Sequence, residues 1–471
     1  MLPTLSAKTA HKPPRPLKII QFGEGNFLRA FADWMVDVMN EQINFHGNIQ
    51  IIQPLPTGMA GALRQQDGLY HVSLNGLQNG KTISTHRLIT CIQSAINPYE
   101  DTRGFFELAE TESIRIVISN TTESGIAFDA SDTNPAALAK SFPGKVTQLL
   151  WHRYNFFNGA PDKGLYFLPC ELIEKNGDTL RATVIRYIDL WQLPDAFKVW
   201  VCSQNIFCNT LVDRIVPGFP KDTINEVQQE IGYSDNLVVT AEPFHLWVIE
   251  APEAVREFFP ADKAGLQVKF VPDLTPYRTR KVRILNGAHT ALVPVAYLHG
   301  LRTVKDSVDD TDTGKFIREA IFNEILPTLE LPADELTQFA HDVLERFQNP
   351  FIRHELASIA LNSISKFRVR VLPSLLAYQQ QKGLPKRLIR SLASLILFYK
   401  GEWKGVATPV NDAAETVEIF RRAWQCDSVD QTCTQILQHT DLWGTDLIQV
   451  PGLAQAVIKD LREVLAEQPV L

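Results

Sequence analysis

The sequence predicts an α/β fold, with an N-terminal parallel-sheet domain followed by a mostly α-helical C-terminal domain. Three observations predict it. Short apolar runs alternate with helical patterns up to residue 272, the signature of buried parallel strands with covering helices. A glycine turn stands directly between the first apolar run and the first helical pattern. Beyond residue 272 strand-like runs become scarce and amphipathic patterns dominate. The expected domains are therefore residues 1–272 and 273–471.

The elements follow in order. Met1–Pro16 is polar, holds four prolines and has no apolar core, so it reads as a loose arm and not as a signal peptide. Leu17–Phe22 is apolar enough for a buried strand. Gly23-Glu-Gly25 follows, and then Phe27, Ala30, Phe31, Trp34, Met35 and Val38 recur at steps of three and four, one face of a helix. Ile49–Gln53, ended by Pro54 and Pro56, predicts a second strand. Ile114–Ser119 and Leu165–Cys170 predict two more, with a helix over about 135–156 between them. Pro272–Tyr277 is a plausible bridge, and helices are expected over Lys281–Tyr297, Thr313–Ile325, Asp334–Arg346, Lys386–Tyr399 and Ala413–Trp424.

Composition narrows the function classes. A hydrophobic fraction of 45% with 21% charged residues is ordinary globular composition. The net charge of −7 argues against nucleic acid as a partner. The strongest uncharged apolar run, between Arg390 and Lys400, has nine residues, against about 20 for a membrane span, so no membrane partner is expected. Six cysteines without a CxxC pair suit a reduced, cytoplasmic protein. No two histidines stand at metal-ligand spacing on one helix, so no metal site is expected.

Two stretches carry chemistry. A glycine turn between strand and helix lets backbone approach a pyrophosphate at a helix N-terminus. Gly23 and Gly25 fill the first two places of that fingerprint, and Leu28 stands where the third glycine would be. The second strand ends in Gln53-Pro-Leu-Pro-Thr57, without the carboxylate that reads a ribose and without an arginine for a 2′-phosphate. The other stretch is Lys281-Val-Arg-Ile-Leu-Asn286-Gly-Ala-His289. On an ideal helix these three polar side chains fall within an arc of about 140°. A lysine can move a proton, an amide can donate to an oxygen gaining charge, and an imidazole can orient substrate. Spacing alone leaves a second reading open: a surface lysine, a helix interruption and a core histidine. A strand–glycine–helix start also fits a methyltransferase or a non-catalytic dinucleotide-binding regulator, neither of which has a use for those three side chains.

KVRILNGAH resembles the K-x-x-x-x-N-x-x-H signature of the polyol-specific long-chain dehydrogenases, the mannitol dehydrogenase family. Phe22–Ala30, Thr122-Glu123-Ser-Gly125, Asn209–Arg214 and Ser365-Lys366-Phe367 match further family motifs in the same order. The resemblance implies a Rossmann-like N-terminal domain, NAD as cofactor and chemistry without a metal. It assigns the cofactor to Phe22, Gly23, Gly25, Asn26, Phe27, Arg29, Thr122 and Glu123. It makes Lys281 the acid/base, Asn286 one of two oxyanion donors and His289 the orienting histidine, with Asp213 and Lys366 near the substrate. Two positions depart from the pattern. Leu172 stands where the other oxyanion asparagine would be, with Asn176 matching a later asparagine, and Ser358 stands where mannitol dehydrogenases have an arginine. Within the family the likeness is nearest to reductases of keto-sugar acids, which implies a small sugar-acid substrate and a cation for its carboxylate. Arg278, Arg280, Arg353, His354 and Arg368 are the candidates.

Overall fold

The computed structural model describes residues 2–466; the outermost ends of the two expected domains, residues 1 and 467–471, lie outside them. The chain forms two compact units, the first running to Asn75 and again over Thr82–Leu274, the second made of Gly76–Lys81 and the chain from Thr275 onward.

The first unit holds twelve strands: β1 (Leu17–Phe22), β2 (Asn48–Ile52), β3 (Tyr70–Gln78), β4 (Lys81–Ile89), β5 (Ile92–Ile96), β6 (Ile116–Ser119), β7 (Tyr166–Pro169), β8 (Ile206–Phe207), β9 (Asn209–Asp213), β10 (Val239–Ala241), β11 (Leu246–Glu250) and β12 (Val268–Val271). Six make the central sheet, in the order β5-β2-β1-β6-β7-β8, and every pair is parallel. Strand order reverses between β1 and β6, which opens a crevice at the carboxyl ends of those strands. The sheet is buried on both faces because its residues alternate between two cores. Ile19, Ile116, Ile118 and Leu168 face one cluster; Ile20, Phe22, Val117 and Phe167 face the other. The four strands read from the apolar runs are all present. The remaining eight lie mostly in two smaller sheets of β10-β3-β4 and β12-β11-β9; among them β3 interleaves polar residues and β4 is mostly exposed, so neither reads as an apolar run.

Two expectations change. The N-terminal arm is anchored: Leu5 is fully buried, its N–H donates to Ser234 O at 3.1 Å, and the Ala7 N–H donates to Asp67 at 2.8 Å. The helix expected from about residue 135 starts at Phe142, where Pro143 occupies the first turn and the Ser141 hydroxyl accepts from the Gly144 N–H at 3.0 Å.

In the second unit the apolar helix Gly287–Leu298 lies against Lys386–Phe398, and the Ser391 hydroxyl donates to Ala291 O at 2.8 Å. The nine-residue apolar run thus serves a buried helix. Among the described residues no helix is long and apolar enough to cross a membrane.

Candidate active site

The turn after β1 is built for a close approach. Gly23 sits at φ +116°, where a Cβ would press on Asn120 O at 3.0 Å, so only glycine fits without strain. At Gly25 a Cβ would meet no atom of the described residues within 4 Å. Gly25 is the N-cap of the following helix, and no capping side chain obstructs the first-turn N–H groups that suit a pyrophosphate. Asn26 is exposed beside it. Phe22 and Phe27 serve packing: Phe22 is buried against Phe105 and Phe142, and Phe27 stacks on Phe31. Arg29 is only 1% exposed. Its guanidinium donates to Leu237 O at 2.6 Å, Glu24 O at 3.1 Å and Asn26 Oδ1 at 2.8 Å. It braces the turn from beneath, with its donors directed into protein.

Beside the turn lies a cavity of about 470 Å³ whose lining includes Pro54 and Leu55 after β2, Thr121, Thr122 and Gly125 after β6, and Phe128. Its position at the strand-order reversal fits the adenosine half of a dinucleotide. Thr122 is held at φ +76°, a conformation costly for a β-branched residue. The loop is secured one residue earlier: the Thr121 N–H and hydroxyl donate to Glu171 Oε1 at 2.9 and 3.1 Å, and the Ser119 hydroxyl donates to Oε2 at 3.0 Å. Burial pushes the Glu171 carboxyl up, against the pull of those donors. Glu123 is exposed and is not part of the cavity lining.

The end of β2 explains the missing acid. Gln53 is buried, donating to Leu55 O at 2.8 Å and accepting from the Ala60 N–H at 3.0 Å. The acid arrives from the turn instead: Glu24 Oε1 accepts from the Met59 N–H at 3.2 Å, and its carboxyl is raised by burial. Sequence spacing could not show this, because Glu24 is remote from β2 in the chain.

In the second unit Lys281–Asn286 is a π-helix that runs into the α-helix Gly287–Leu298. The Gly287 N–H reaches Val282 O, five residues back. On an α-helix Lys281 and Asn286 would sit about 140° apart; the i→i+5 repeat of the π turn brings residues five apart onto one face. His289 follows one α-turn later. Asn286 is half-buried and its carbonyl accepts from the Thr290 hydroxyl at 2.8 Å.

His289 stacks on Phe347 with centroids 4.1 Å apart and meets His354 edge-on at 5.0 Å. Its Nε2 is buried and has no hydrogen-bond partner among the described residues. Burial, then His354, Arg346 and Arg370, hold the imidazole well below its usual range, so it is neutral. Arg346 and Arg370 were not singled out from the sequence; only the fold brings them beside His289. Lys366, on the helix Ser363–Arg370, donates to Ile359 O at 3.0 Å, and burial lowers its pKa. Asp213 closes β9 in the first unit, buried and paired in register with Leu246.

The two departures take definite forms. Leu172 is 67% exposed and cannot donate a hydrogen bond. Asn176 is buried, its amide donating to Pro169 O, Glu171 O and Thr210 O while its Oδ1 accepts from Gly177 and Thr210 N–H groups. It is fully used in joining loops and is no substitute donor. Of the expected carboxylate cations, Arg280 is buried in an ion pair with Glu335 at 3.0 Å, Arg353 is exposed and pairs with Glu355, and Arg368 donates to Asp441 O.

Comparison with known proteins places both halves of the chain. A family model described as the mannitol dehydrogenase Rossmann domain matches residues 17–259, and one described as the mannitol dehydrogenase C-terminal domain matches residues 273–465. The altronate oxidoreductase of Bacteroides thetaiotaomicron is 49% identical over 463 residues, covering 98% of this chain and 97% of that one. The altronate oxidoreductase of Bacillus subtilis is 46% identical over 457 residues, covering 96% and 94%. Among solved structures, a substrate-free D-sorbitol dehydrogenase shares the fold with a TM-score of 0.83 at 22% identity, covering 98% of each chain. A Pseudomonas fluorescens mannitol 2-dehydrogenase, in complex with NAD and D-mannitol, has a TM-score of 0.64 at 22% identity, covering 96% and 92%.

Proposed function

The chain belongs to the mannitol dehydrogenase family, and we propose that within it the protein interconverts D-tagaturonate and D-altronate with NADH and NAD, as a cytoplasmic enzyme of hexuronate catabolism. Near-half identity to altronate oxidoreductases along almost the whole chain supports the substrate. The observation that supports the chemistry is the π turn Lys281–Asn286, whose i→i+5 repeat favours these two residues sharing one face.

When bound, the nicotinamide cofactor supplies the hydride in reduction and takes it back in oxidation. Gly23, Gly25 and the following helix N-terminus hold its pyrophosphate. Asn286 donates a hydrogen bond to the ketone oxygen as negative charge grows there. The Lys281 ammonium gives that oxygen its proton, and in the reverse direction the neutral amine removes the proton from the alcohol. Leu172 has no donor and Asn176 is engaged elsewhere, so Asn286 and Lys281 carry the developing charge between them. His289 orients the substrate, and Lys366 binds its hydroxyl groups. Glu24 favours NAD: its acid, beside the loop that follows β2, would oppose a 2′-phosphate.

Steady-state reduction of D-tagaturonate, D-fructuronate and D-fructose, each with NADH and NADPH, tests the reading. Tagaturonate with NADH should give the highest kcat/KM. Fructuronate as the best substrate would make the protein a fructuronate reductase, and fructose as the best would defeat the sugar-acid assignment.

A further inference from the structure

A substrate acid brings a charge that a protein of net charge −7 repels at long range, so a local cation must receive it. Three of the cations singled out by sequence do not suit: Arg280, Arg353 and Arg368 are each committed to a carboxylate or a carbonyl. Arg370 differs from them. It closes the helix Ser363–Arg370 and is half-buried, yet its guanidinium has no hydrogen bond or ion pair among the described residues. Its backbone is pressed onto the start of the helix Gly287–Leu298, directly after Asn286, since a Cβ added at Gly287 would meet Arg370 O at 2.9 Å. Withdrawing a guanidinium from water without a partner is costly, and an arginine does not escape the cost by losing its proton.

A second observation points to the same place. His289 Nε2 is fully buried with no partner, fixed by Phe347 and His354, and it lies within the electrostatic reach of Arg370 and Arg346. Lys366 also feels Arg370. Arg370 therefore brings a positive charge that no carboxylate among the described residues pairs with, and His289 adds one buried polar atom to spare. Asn286 and His289 are separated by a rise of about 4.5 Å along the helix, which suits a six-carbon acid whose ketone lies at one and whose carboxylate lies beyond the other.

We infer that Arg370, with the Nε2 edge of neutral His289, receives the substrate carboxylate and so selects sugar acids over neutral ketoses. This rests on the functional reading above. As the Nε2–H tautomer His289 donates one hydrogen bond, and the guanidinium donates a charge-assisted pair.

The test compares wild type, Arg370→Gln and Arg370→Lys in NADH-dependent reduction of D-tagaturonate and of D-tagatose, which has CH₂OH in place of the carboxylate. Arg370→Gln should lose roughly 10- to 100-fold in kcat/KM for tagaturonate, chiefly through KM, with tagatose changed by less than about threefold. Arg370→Lys, which keeps a point charge, should regain part of the loss. An equal loss on both ketoses, or no loss on either, overturns the assignment. Calorimetric titration with D-altronate separates this proposal from the functional one. If wild type turns over no ketose, the functional reading falls, while altronate binding to wild type and tenfold or weaker binding to Arg370→Gln still sustains the carboxylate site. Equal altronate binding by the two proteins, or none by wild type, removes it.

Discussion

A methyl group added at Gly23 would meet the Asn120 carbonyl at 3.0 Å, on a backbone at φ +116° that side chains resist. Gly23→Ala should therefore distort the turn and weaken NADH binding by about tenfold or more, as read by fluorescence titration. Lys281→Ala should do the opposite: NADH affinity stays within about threefold, while kcat for tagaturonate falls on the order of 10²- to 10⁴-fold, the usual worth of a general acid. Normal turnover in Lys281→Ala, or unchanged NADH affinity in Gly23→Ala, would remove the corresponding role. Both residues were legible in the sequence because each stands in a short pattern with a local meaning, a glycine after a strand and a lysine five residues before an asparagine. Arg29 was misleading for the same reason. It belongs to the turn motif, but its guanidinium points down into carbonyls, a direction no spacing encodes. Arg370 was illegible because what distinguishes it is the lack of a partner in three dimensions.

Between residues, the helix after the glycine turn carries a device of its own. It opens as Asn26–Leu28, widens into a π segment at Arg29–Asp33 and continues as Trp34–Gln42. The sequence predicted this helix from its apolar steps, yet no pattern announced the π segment here or at Lys281–Asn286, because an extra residue in one turn leaves the apolar spacing on either side intact. Asp33, in the wide segment, is fully buried and accepts from the Tyr70 hydroxyl at 2.6 Å. Its Oδ1 and the neighbouring Gln21 Oε1 are both buried acceptors with no donor among the described residues. A proton on Asp33 would satisfy both, and it would leave the Gln21 amide free to keep its 3.1 Å hydrogen bond to Gly23 O in the cofactor turn. Burial pushes the Asp33 carboxyl up to about 7, while Tyr70, Gln21 and Arg29 pull it down and Asp37 pushes it further up. A carboxyl raised on folding stabilises the fold most when protonated, so this contribution is complete below the ordinary carboxyl range of about 4, is lost progressively from there to about 7, and is gone above it. Asp33→Asn, an amide of the same shape, can donate to Gln21 and accept from Tyr70 at every pH. Between about pH 4 and 7 the wild type should lose stability relative to this variant by up to about 1.4 kcal/mol per pH unit, with no further relative loss above about 7. Thermal unfolding of both proteins between about pH 4.5 and 8.5 measures it, and parallel curves below about pH 7 would show that Asp33 is not protonated on folding.

For the molecule as a whole, the sequence conveyed a change of style near residue 272, and the chain divides into compact units with a break at Leu274 and Thr275. It could not convey that Gly76–Lys81 groups with the second unit, since the tip of a polar hairpin has no periodicity to reveal its neighbours. The groups that fit the dinucleotide, namely the turn after β1, Glu24 and the cavity lined by Leu55, Thr122 and Phe128, all belong to the first unit. Its cores on the two faces of the sheet are made from its own residues, and the helices of the second unit bury a separate set that includes Leu292, Ile317 and Leu392. A ligand stabilises only what unfolds with its site. Calorimetry should resolve two transitions, and NADH at about a hundred times its Kd should add about 2.7 kcal/mol to one of them, a rise of roughly 5 to 10 °C for a unit of this size. Gly23→Ala should cut the shift by about half or more at the same NADH concentration, whereas Lys281→Ala should preserve it. A single transition that NADH moves as a whole would mean that the two units unfold as one cooperative body, and the cofactor's stabilisation could then no longer be assigned to the first unit alone.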